Sequence, residues 1–369
     1  MKEKVNVAMK VRAGDEMRRM NGPAVGRVFG AIVVMVLCTF TAGAQVFPNP
    51  EIHAQLLKGI EYAGQQRYSQ ARTVFDDVIR RVPDHPAGYL NKVILLEVMS
   101  LDFETPVPQP EFDRLIEKAE LLAQRMLDRN EKSAEGKYYL GMTHSYLAYY
   151  KFRDGENWVS GLKHGMSANS WLEECVELDP KAWDAMTGVG TYKYWKSRKM
   201  SFLTWSPFVD DERAEGIRIL RDAERRAAYT GAQATNSLIW IYIEEERYAE
   251  AIRSAQAVLK RFPNNRLFLW GLASAAEKLK NWQLAREAYQ RIEASVDEEV
   301  LERRYIDVQA RSKIARMSFQ LGDRESARRE CDWVLANGRF DTSPFTSDGV
   351  TRIRKRVADM EKLQAELKQ

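Results

Sequence analysis

The sequence predicts an all-α protein in which about seven helical hairpins stack into one solenoid and a C-terminal helix closes the array. Two observations lead to this prediction. Between Gln233 and Glu293, two helical hairpins follow one another in the same register, each matching the other position by position. Glycine and proline are scarce, at 21 and 12 of 369 residues, which argues against long linkers between separate globules.

Three pairs of corresponding positions indicate the repeat. Tyr242, Ala251 and Pro263 of one hairpin correspond to Ala276, Ala285 and Asp297 of the next, at one constant spacing. A period of about 34 residues, as this spacing gives, is the signature of the tetratricopeptide repeat, and this stretch resembles that family closely. The resemblance implies a right-handed α-solenoid whose surface holds another molecule.

The first repeat covers residues 52–85 and matches the family pattern at Gly59, Tyr62, Ala71, Phe75 and Pro83. Small residues let the paired helices approach closely, and the phenylalanine fills the gap to the next hairpin. Proline ends the second helix because it lacks an N–H donor and clashes with the preceding turn.

Repeat units are predicted to start near residues 52, 86, 134, 183, 232, 266 and 308, with a capping helix over 347–369. Three successive units carry 14 or 15 extra residues, each time between the paired helices, so we expect insertions on one side of the solenoid. Together with the run Gly-x-Gly-x-Tyr-x-Tyr-Trp at 188–195, this pattern resembles a set of secreted or periplasmic bacterial tetratricopeptide proteins. That resemblance implies no particular activity.

Residues 1–44 have the pattern of a signal peptide. A basic segment precedes an apolar run from Val28 to about Phe40, and Ala42-Gly43-Ala44 is a small-x-small cleavage pattern. An uncleaved anchor is the alternative, and translation could begin at Met1, Met17 or Met20. The expected location of the mature chain is the periplasm or the extracellular space, with envelope association an open possibility.

The formal charge of +4 lies entirely in this leader, which has seven basic and three acidic side chains. The remaining chain has 49 of each sign and is neutral. A neutral body has no bulk field that attracts phosphates, so we expect no nucleic-acid partner.

No catalytic, metal or cofactor motif is present, and the protein is predicted not to be an enzyme. The four histidines are far apart in sequence, and His144 occupies a position where repeats carry a core aromatic. Cys175 and Cys331 fall on second-helix core positions in units three and seven, so we expect buried, inert thiols without a disulfide. A hydrolase that uses carboxylates outside any motif is the remaining enzymatic alternative.

In the family that the repeats resemble, the first helix of each hairpin lines a concave groove. Carrying over those positions gives a partner-binding set of Tyr138, Met142, Tyr194, Asn236, Trp240, Trp270, Arg316 and Phe319. Trp240 replaces the asparagine of the family's carboxylate clamp and no lysine set is present, so we expect an aromatic-lined groove for a peptide or protein segment.

A second candidate surface is the loop after the first helix of unit four, with Lys196, Phe202, Leu203, Trp205 and Phe208. Apolar residues beside basic ones suit a membrane surface or a protein partner. The same residues could equally tuck into the groove of their own chain.

These observations predict a non-enzymatic scaffold of the bacterial cell envelope that holds a peptide or protein partner. The main alternative is a solenoid that binds carbohydrate or peptidoglycan, because tryptophan and tyrosine are dense between residues 138 and 208. A solenoid associated with a membrane surface is the other alternative. The oligomeric state is left open.

Overall fold

The computed structural model describes residues 47–153, 158–199, 210–296 and 302–368. This part of the chain folds into fifteen α-helices and no strand. Their bounds are α1 Pro50–Gly64, α2 Tyr68–Arg81, α3 Pro86–Phe103, α4 Gln109–Arg129, α5 Ala134–Arg153, α6 Trp158–Leu178, α7 Trp183–Lys199, α8 Arg213–Arg226, α9 Gly231–Glu244, α10 Tyr248–Leu259, α11 Arg266–Lys278, α12 Trp282–Ala294, α13 Arg303–Gln320, α14 Arg324–Asn337 and α15 Ser347–Lys368.

Each helix packs against the next, which gives seven hairpins from α1/α2 to α13/α14, followed by α15. The predicted all-α solenoid is therefore confirmed. The first helices of the hairpins begin at residues 50, 86, 134, 183, 231, 266 and 303, all within five residues of the predicted unit starts. Ile353, Met360 and Leu363 of α15 are buried, so this helix covers the end of the core as a capping helix does.

Helix starts follow from local sequence. The Asn49 side chain accepts hydrogen bonds from the backbone N–H groups of Glu51 (2.9 Å) and Ile52, and proline occupies the first position of α1. Asn265 caps α11 in the same way, through the backbone N–H of Phe268. Side-chain caps satisfy N–H groups that have no partner inside a helix, so these asparagines set where the hairpins begin.

The close approach of paired helices depends on small residues at the repeat positions. A Cβ atom added to Gly59 would collide with the ring of Phe75, so only glycine fits at this crossing. Ala71, Ala251 and Ala285 have no exposed surface and lie wedged between neighbouring helices. The alanine positions that predicted the repeat are therefore the positions at which the helices pack closely.

The extra residues of units two and three mostly lengthen helices, and the expectation of loop insertions is wrong for these two units. Helices α3 and α4 have 18 and 21 residues, against 15 and 14 in α1 and α2. Helices α5 and α6 have 20 and 21 residues. When both helices of a pair become longer, the added residues can continue the contact between the two helices. Residues added to the loop would not.

The array closes on itself through what we call the closure contact. Here the hairpin turns of units one and two meet the connections that precede α11 and α15. Glu61 pairs with Arg261 (2.6 Å), Asp102 with Arg266, and Glu104 with Arg352 (2.8 Å). The amide of Asn265 also donates to the Gly64 carbonyl oxygen (2.8 Å).

The centre of the closure contact is a buried ion pair. Arg266 donates from Nε to Asp102 Oδ1 (2.8 Å) and from a second nitrogen to Oδ2, and both side chains are at most 5% exposed. Tyr68 and Gln66 each donate to Asp102 Oδ2 at 2.7 Å. The carboxylate is therefore fully hydrogen-bonded, as a buried charge must be to be tolerated.

The chain divides into two compact units, residues 1–42 and 43–369, and the second contains all the helices given above. The predicted signal peptide lies outside the described residues. Within the described ranges, every helix is too short or too polar to cross a bilayer.

Candidate functional site: the inner helix layer

The first helices of the hairpins form an inner layer, because α1 packs on α3, α3 on α5, α5 on α7, α7 on α9 and α9 on α11. The predicted groove positions all fall on these helices. Such a layer can hold a partner only where its side chains remain accessible. Accessibility differs between its two halves.

In units three and four the predicted groove residues are buried. Tyr138, Met142 and Tyr194 are 4%, 2% and 0% exposed, so the prediction that they line an accessible groove is wrong. The physical reason is that these side chains belong to the hydrophobic core between the helices. Tyr146 of α5 is likewise buried, and it is hydrogen-bonded to the Gln233 side chain of α9, two hairpins further on.

In unit five the layer keeps an accessible aromatic ring. Trp240, near the end of α9, is 39% exposed. One turn before it, Asn236 is half-buried, and its Oδ1 atom has no hydrogen-bond partner among the described residues. Residues four apart share one face of a helix, so the ring and the amide stand side by side. A buried amide oxygen without a donor is a costly feature that a partner's N–H would relieve once the side chain turned outward.

In units six and seven the predicted positions are occupied by contacts within the chain. Trp270 is half-buried and packs edge-to-face on Tyr289, with ring centroids 5.5 Å apart. Arg316 pairs with Glu366 of the capping helix (3.1 Å), and Phe319 is half-buried against the core. These side chains are engaged in packing within the chain. Their edges are the part that remains accessible to a partner.

The charges of the inner layer are neutralised by the chain itself. Lys313 donates to both oxygens of Glu277 at 2.8 and 2.9 Å. Burial alone would raise the pKa of Glu277, but Lys313 and a hydrogen bond from Tyr289 hold it below its ordinary value. A layer in which Lys313 and Arg316 already have carboxylate partners does not offer these cations to a ligand's carboxylate.

Of the predicted loop, only Lys196 can be placed. It donates to Glu212 at the start of α8 (2.5 Å) and lies over the ring of Tyr192. Phe202, Leu203, Trp205 and Phe208 lie outside the described residues. Whether the loop is exposed or tucked into the groove stays a prediction.

Two histidines that are distant in sequence meet in the third hairpin. Nδ1 of His144 lies 3.0 Å from Nδ1 of His164, and the ring centroids are 5.2 Å apart. The distance between the ring centroids exceeds the distance between the nitrogens by about two ring radii. The two nitrogens therefore point at each other and share one proton in an N–H···N hydrogen bond. Two histidine nitrogens that bind one metal ion would instead both point at the ion, which would lie off the line between the nitrogens.

Sequence reading missed this pair because it compared the histidines by their spacing. The sequence predicts a loop at Asp154-Gly155 between the paired helices, and both histidines lie about ten positions from it, so folding the predicted hairpin about this loop would have found them. Burial lowers the pKa of both rings. Over the described residues, no group of three or more histidine, cysteine or carboxylate side chains is placed to hold a metal ion.

The two cysteines of the described chain are fully buried and form no disulfide. The Cys331 thiol donates to the Met360 carbonyl oxygen (3.2 Å), and burial raises its pKa to about 11. A thiol that stays protonated at neutral pH is a poor nucleophile. Cys331 is thus a packing residue.

Comparison with known proteins agrees with the hairpin geometry. The tetratricopeptide-repeat family profile matches residues 56–97 and 236–299. These segments cover most of the first hairpin with α3, and α9 to α12, where Ala71, Ala251 and Ala285 are buried between helices. These two segments are therefore tetratricopeptide repeats by sequence as well as by packing. No curated protein matches the sequence.

Among solved structures, a thermophilic tetratricopeptide protein of Thermus thermophilus is 17% identical, with a TM-score of 0.39 over 61% of this chain and 99% of that one. Pseudomonas aeruginosa PilF is 14% identical, with a TM-score of 0.40 over 69% and 98% of the two chains. PilW, described as a widely conserved type IV pilus biogenesis factor, is 12% identical, with a TM-score of 0.39 over 83% and 99%. Similarities this distant identify no partner.

Proposed function

We propose that this protein is a non-enzymatic scaffold of a bacterial cell envelope and that it binds a peptide or protein segment on the inner face of α9. Tetratricopeptide arrays generally act as protein-binding surfaces. The observation that carries the proposal is Trp240, the accessible ring among the predicted groove positions, with the Asn236 amide one turn away.

The chemistry of this surface favours an uncharged, extended stretch of a partner. A tryptophan ring contributes a large rigid contact area at low entropic cost, and a neighbouring amide can bond a peptide backbone. Because Lys313 and Arg316 are already paired with carboxylates, a C-terminal carboxylate is not the feature recognised. The envelope location rests on the leader pattern of residues 1–44.

The carbohydrate-binding alternative loses support from burial. It depended on tyrosine and tryptophan rings between residues 138 and 208 that would stack on sugars. Tyr138, Tyr139, Tyr146, Tyr150 and Tyr194 are all at most 8% exposed, whereas Tyr149 is 39% exposed. The buried rings cannot stack on a glycan, which leaves Tyr149 as the exposed tyrosine of this stretch among the described residues.

Site-specific photo-crosslinking in the native cell tests the proposal. A photoreactive phenylalanine derivative replaces Trp240 in one strain and Leu321 in another, because both side chains are 39% exposed. The expected result is a discrete protein adduct from position 240 that is missing at position 321. Adducts of equal yield at both positions, or none at position 240, would refute the proposal.

A further inference from the structure

The most exposed large apolar side chains of the described residues are concentrated in the third hairpin. Val159, Met166 and Phe152 are 60%, 58% and 50% exposed, and Leu162 is 45% exposed. The exposed apolar residues elsewhere in the described chain are spread over separate helices. We call Phe152, Val159, Leu162 and Met166 the tip.

The four side chains form one surface. Val159, Leu162 and Met166 are spaced by three and four residues, so they share the outer face of the first turns of α6. Phe152, at the end of α5, lies against Gly161, where an added Cβ atom would come within 2.9 Å of the ring. The buried face of the same helix carries Ala168, Leu172 and Cys175. The tip is therefore additional apolar surface, separate from the helix face that the core uses.

The described charged residues next to the tip in sequence are basic, and Glu120 of α4 is the carboxylate close enough to act on His164 of α6. From 145 to 153 and from 158 to 172 the described chain has no carboxylate, whereas Lys151, Arg153 and Lys163 are basic. Arg153 is held by the carbonyl oxygens of the preceding hairpin, which leaves the two lysines beside the apolar residues. Asp154 and Glu156 lie outside the described residues.

The exposed area of the tip distinguishes a protein partner from a bilayer surface. Four half-exposed side chains offer a few hundred Å², the size of a functional patch on a monomer. A stable protein–protein interface buries about 800 Å² on each partner, well beyond the tip. A bilayer surface needs less, since apolar side chains enter the boundary between headgroups and acyl chains while lysines contact anionic headgroups.

We propose that the tip docks the protein on a bilayer surface rich in anionic lipid: Phe152, Val159, Leu162 and Met166 insert below the headgroups and Lys151 and Lys163 contact them. This surface lies on α5 and α6, apart from Trp240 on α9. Vesicle binding and the photo-crosslinking result can therefore fail independently of each other.

Co-sedimentation with lipid vesicles tests the proposal. The protein is the compact unit of residues 43–369, which has its own core and lacks the apolar leader segment that would bind lipid by itself. Vesicles of phosphatidylethanolamine with phosphatidylglycerol are compared with vesicles of phosphatidylcholine alone. We expect binding to the anionic vesicles only, with affinity that decreases as salt is added.

Variants assign the binding to the tip. Val159→Gln with Met166→Gln should lower the partition coefficient at least about tenfold, because two inserted side chains are lost. Lys151→Gln with Lys163→Gln should weaken binding and reduce its salt dependence. Leu162→Gln is paired with Leu121→Gln on α4, since these leucines are 45% and 46% exposed, and only the first should weaken binding.

Four results would overturn the proposal. They are no binding to anionic vesicles, equal binding to phosphatidylcholine, an equal loss in Leu121→Gln, or lipid-free self-association that the tip variants abolish. The last result would assign the tip to an interface between copies of this chain.

Discussion

The closure contact and the tip are two surfaces of one array, and they are built oppositely. At the closure contact the chain covers itself, and its central charges are buried as a pair, with the side chains of Asp102 and Arg266 at most 5% exposed. At the tip the chain leaves its most exposed apolar side chains bare, with Lys151 and Lys163 beside them in sequence. A surface that the fold fills can bury charge because both partners are present. A surface left bare indicates where something outside the chain could bind.

The largest expected effect comes from breaking the buried ion pair. Asp102→Leu leaves Arg266 buried without its carboxylate and should reduce the free energy of unfolding by about 3–5 kcal/mol. The double variant Asp102→Leu with Arg266→Met should recover part of that loss, because it removes the unpaired charge but leaves the Tyr68 hydroxyl without its acceptor. Urea unfolding of the three proteins measures both values.

The exposed pair of the same contact is the control. Arg261 is 67% exposed, so Arg261→Gln should cost less than about 1 kcal/mol although it also removes a bond to Glu61. If Asp102→Leu costs no more than Arg261→Gln, the closure contact does not stabilise the array.

Two glycines give the second comparison. A Cβ atom added at Gly64 would lie 2.5 Å from the Phe262 ring in the closure contact. A Cβ atom added at Gly165, on the helix α6 that carries most of the tip, would lie 3.9 Å from its nearest neighbour. Gly64→Ala should therefore destabilise the protein by about 1–3 kcal/mol. Gly165→Ala should stabilise it by up to about 1 kcal/mol through helix propensity.

Thermal unfolding of the two alanine variants checks this contrast. Phe262→Leu added to Gly64→Ala should restore part of the loss, because a smaller side chain makes room for the new methyl group. Equal effects of the two glycine substitutions would mean that the closure contact is no tighter than the tip.

The third prediction concerns pH. Burial lowers the pKa of His144 and of His164, and Glu120 of α4 opposes both shifts. Repulsion from His164 lowers the pKa of His144 further, and Lys151 and Lys163 do the same for His164. Because the folded-state pKa lies below the ordinary value of 6.5, the unfolded chain takes up protons first as the pH falls. Stability is thus fully present above about pH 6.5 and decreases below it.

Urea midpoints between about pH 7.5 and about pH 5.5 measure this effect. His164→Gln removes one partner of the shared proton and should flatten the pH dependence over that interval. A variant with the same slope as the parent protein would show that the pair does not titrate on unfolding.

Sequence reasoning predicted the parts of the fold that are local. Asn49 and Asn265 cap helices, Pro86 begins one, and the alanine register recurs from hairpin to hairpin, so the helix starts lie close to prediction. The accessible site was predicted poorly. Burial of Tyr138, Met142 and Tyr194 follows from packing between helices of several hairpins, which no residue of one hairpin specifies by itself.

The array is also held by contacts between residues far apart in sequence. Asp102 reaches Arg266, and Glu104 reaches Arg352, across more than 160 positions. No periodic pattern pairs these residues, since a carboxylate at a hairpin turn looks the same whether it is solvated or buried. Extra residues in units two and three were likewise read as insertions because sequence spacing does not distinguish longer helices from longer loops.

The smallest expected effect separates exposed from covered side chains at the tip. Val159→Gln with Met166→Gln should change the free energy of unfolding by less than about 0.5 kcal/mol per site, because both side chains are more than half exposed. Leu172→Ala in the same helix should cost about 2–5 kcal/mol, since Leu172 is 1% exposed and packs against Gly141 and Gly188. Chemical unfolding of both variants tests the contrast within one helix. A cost above about 1 kcal/mol per site for the glutamine variant would mean that the tip is covered in solution. A midpoint that then rises with protein concentration would identify the cover as a second copy of the chain.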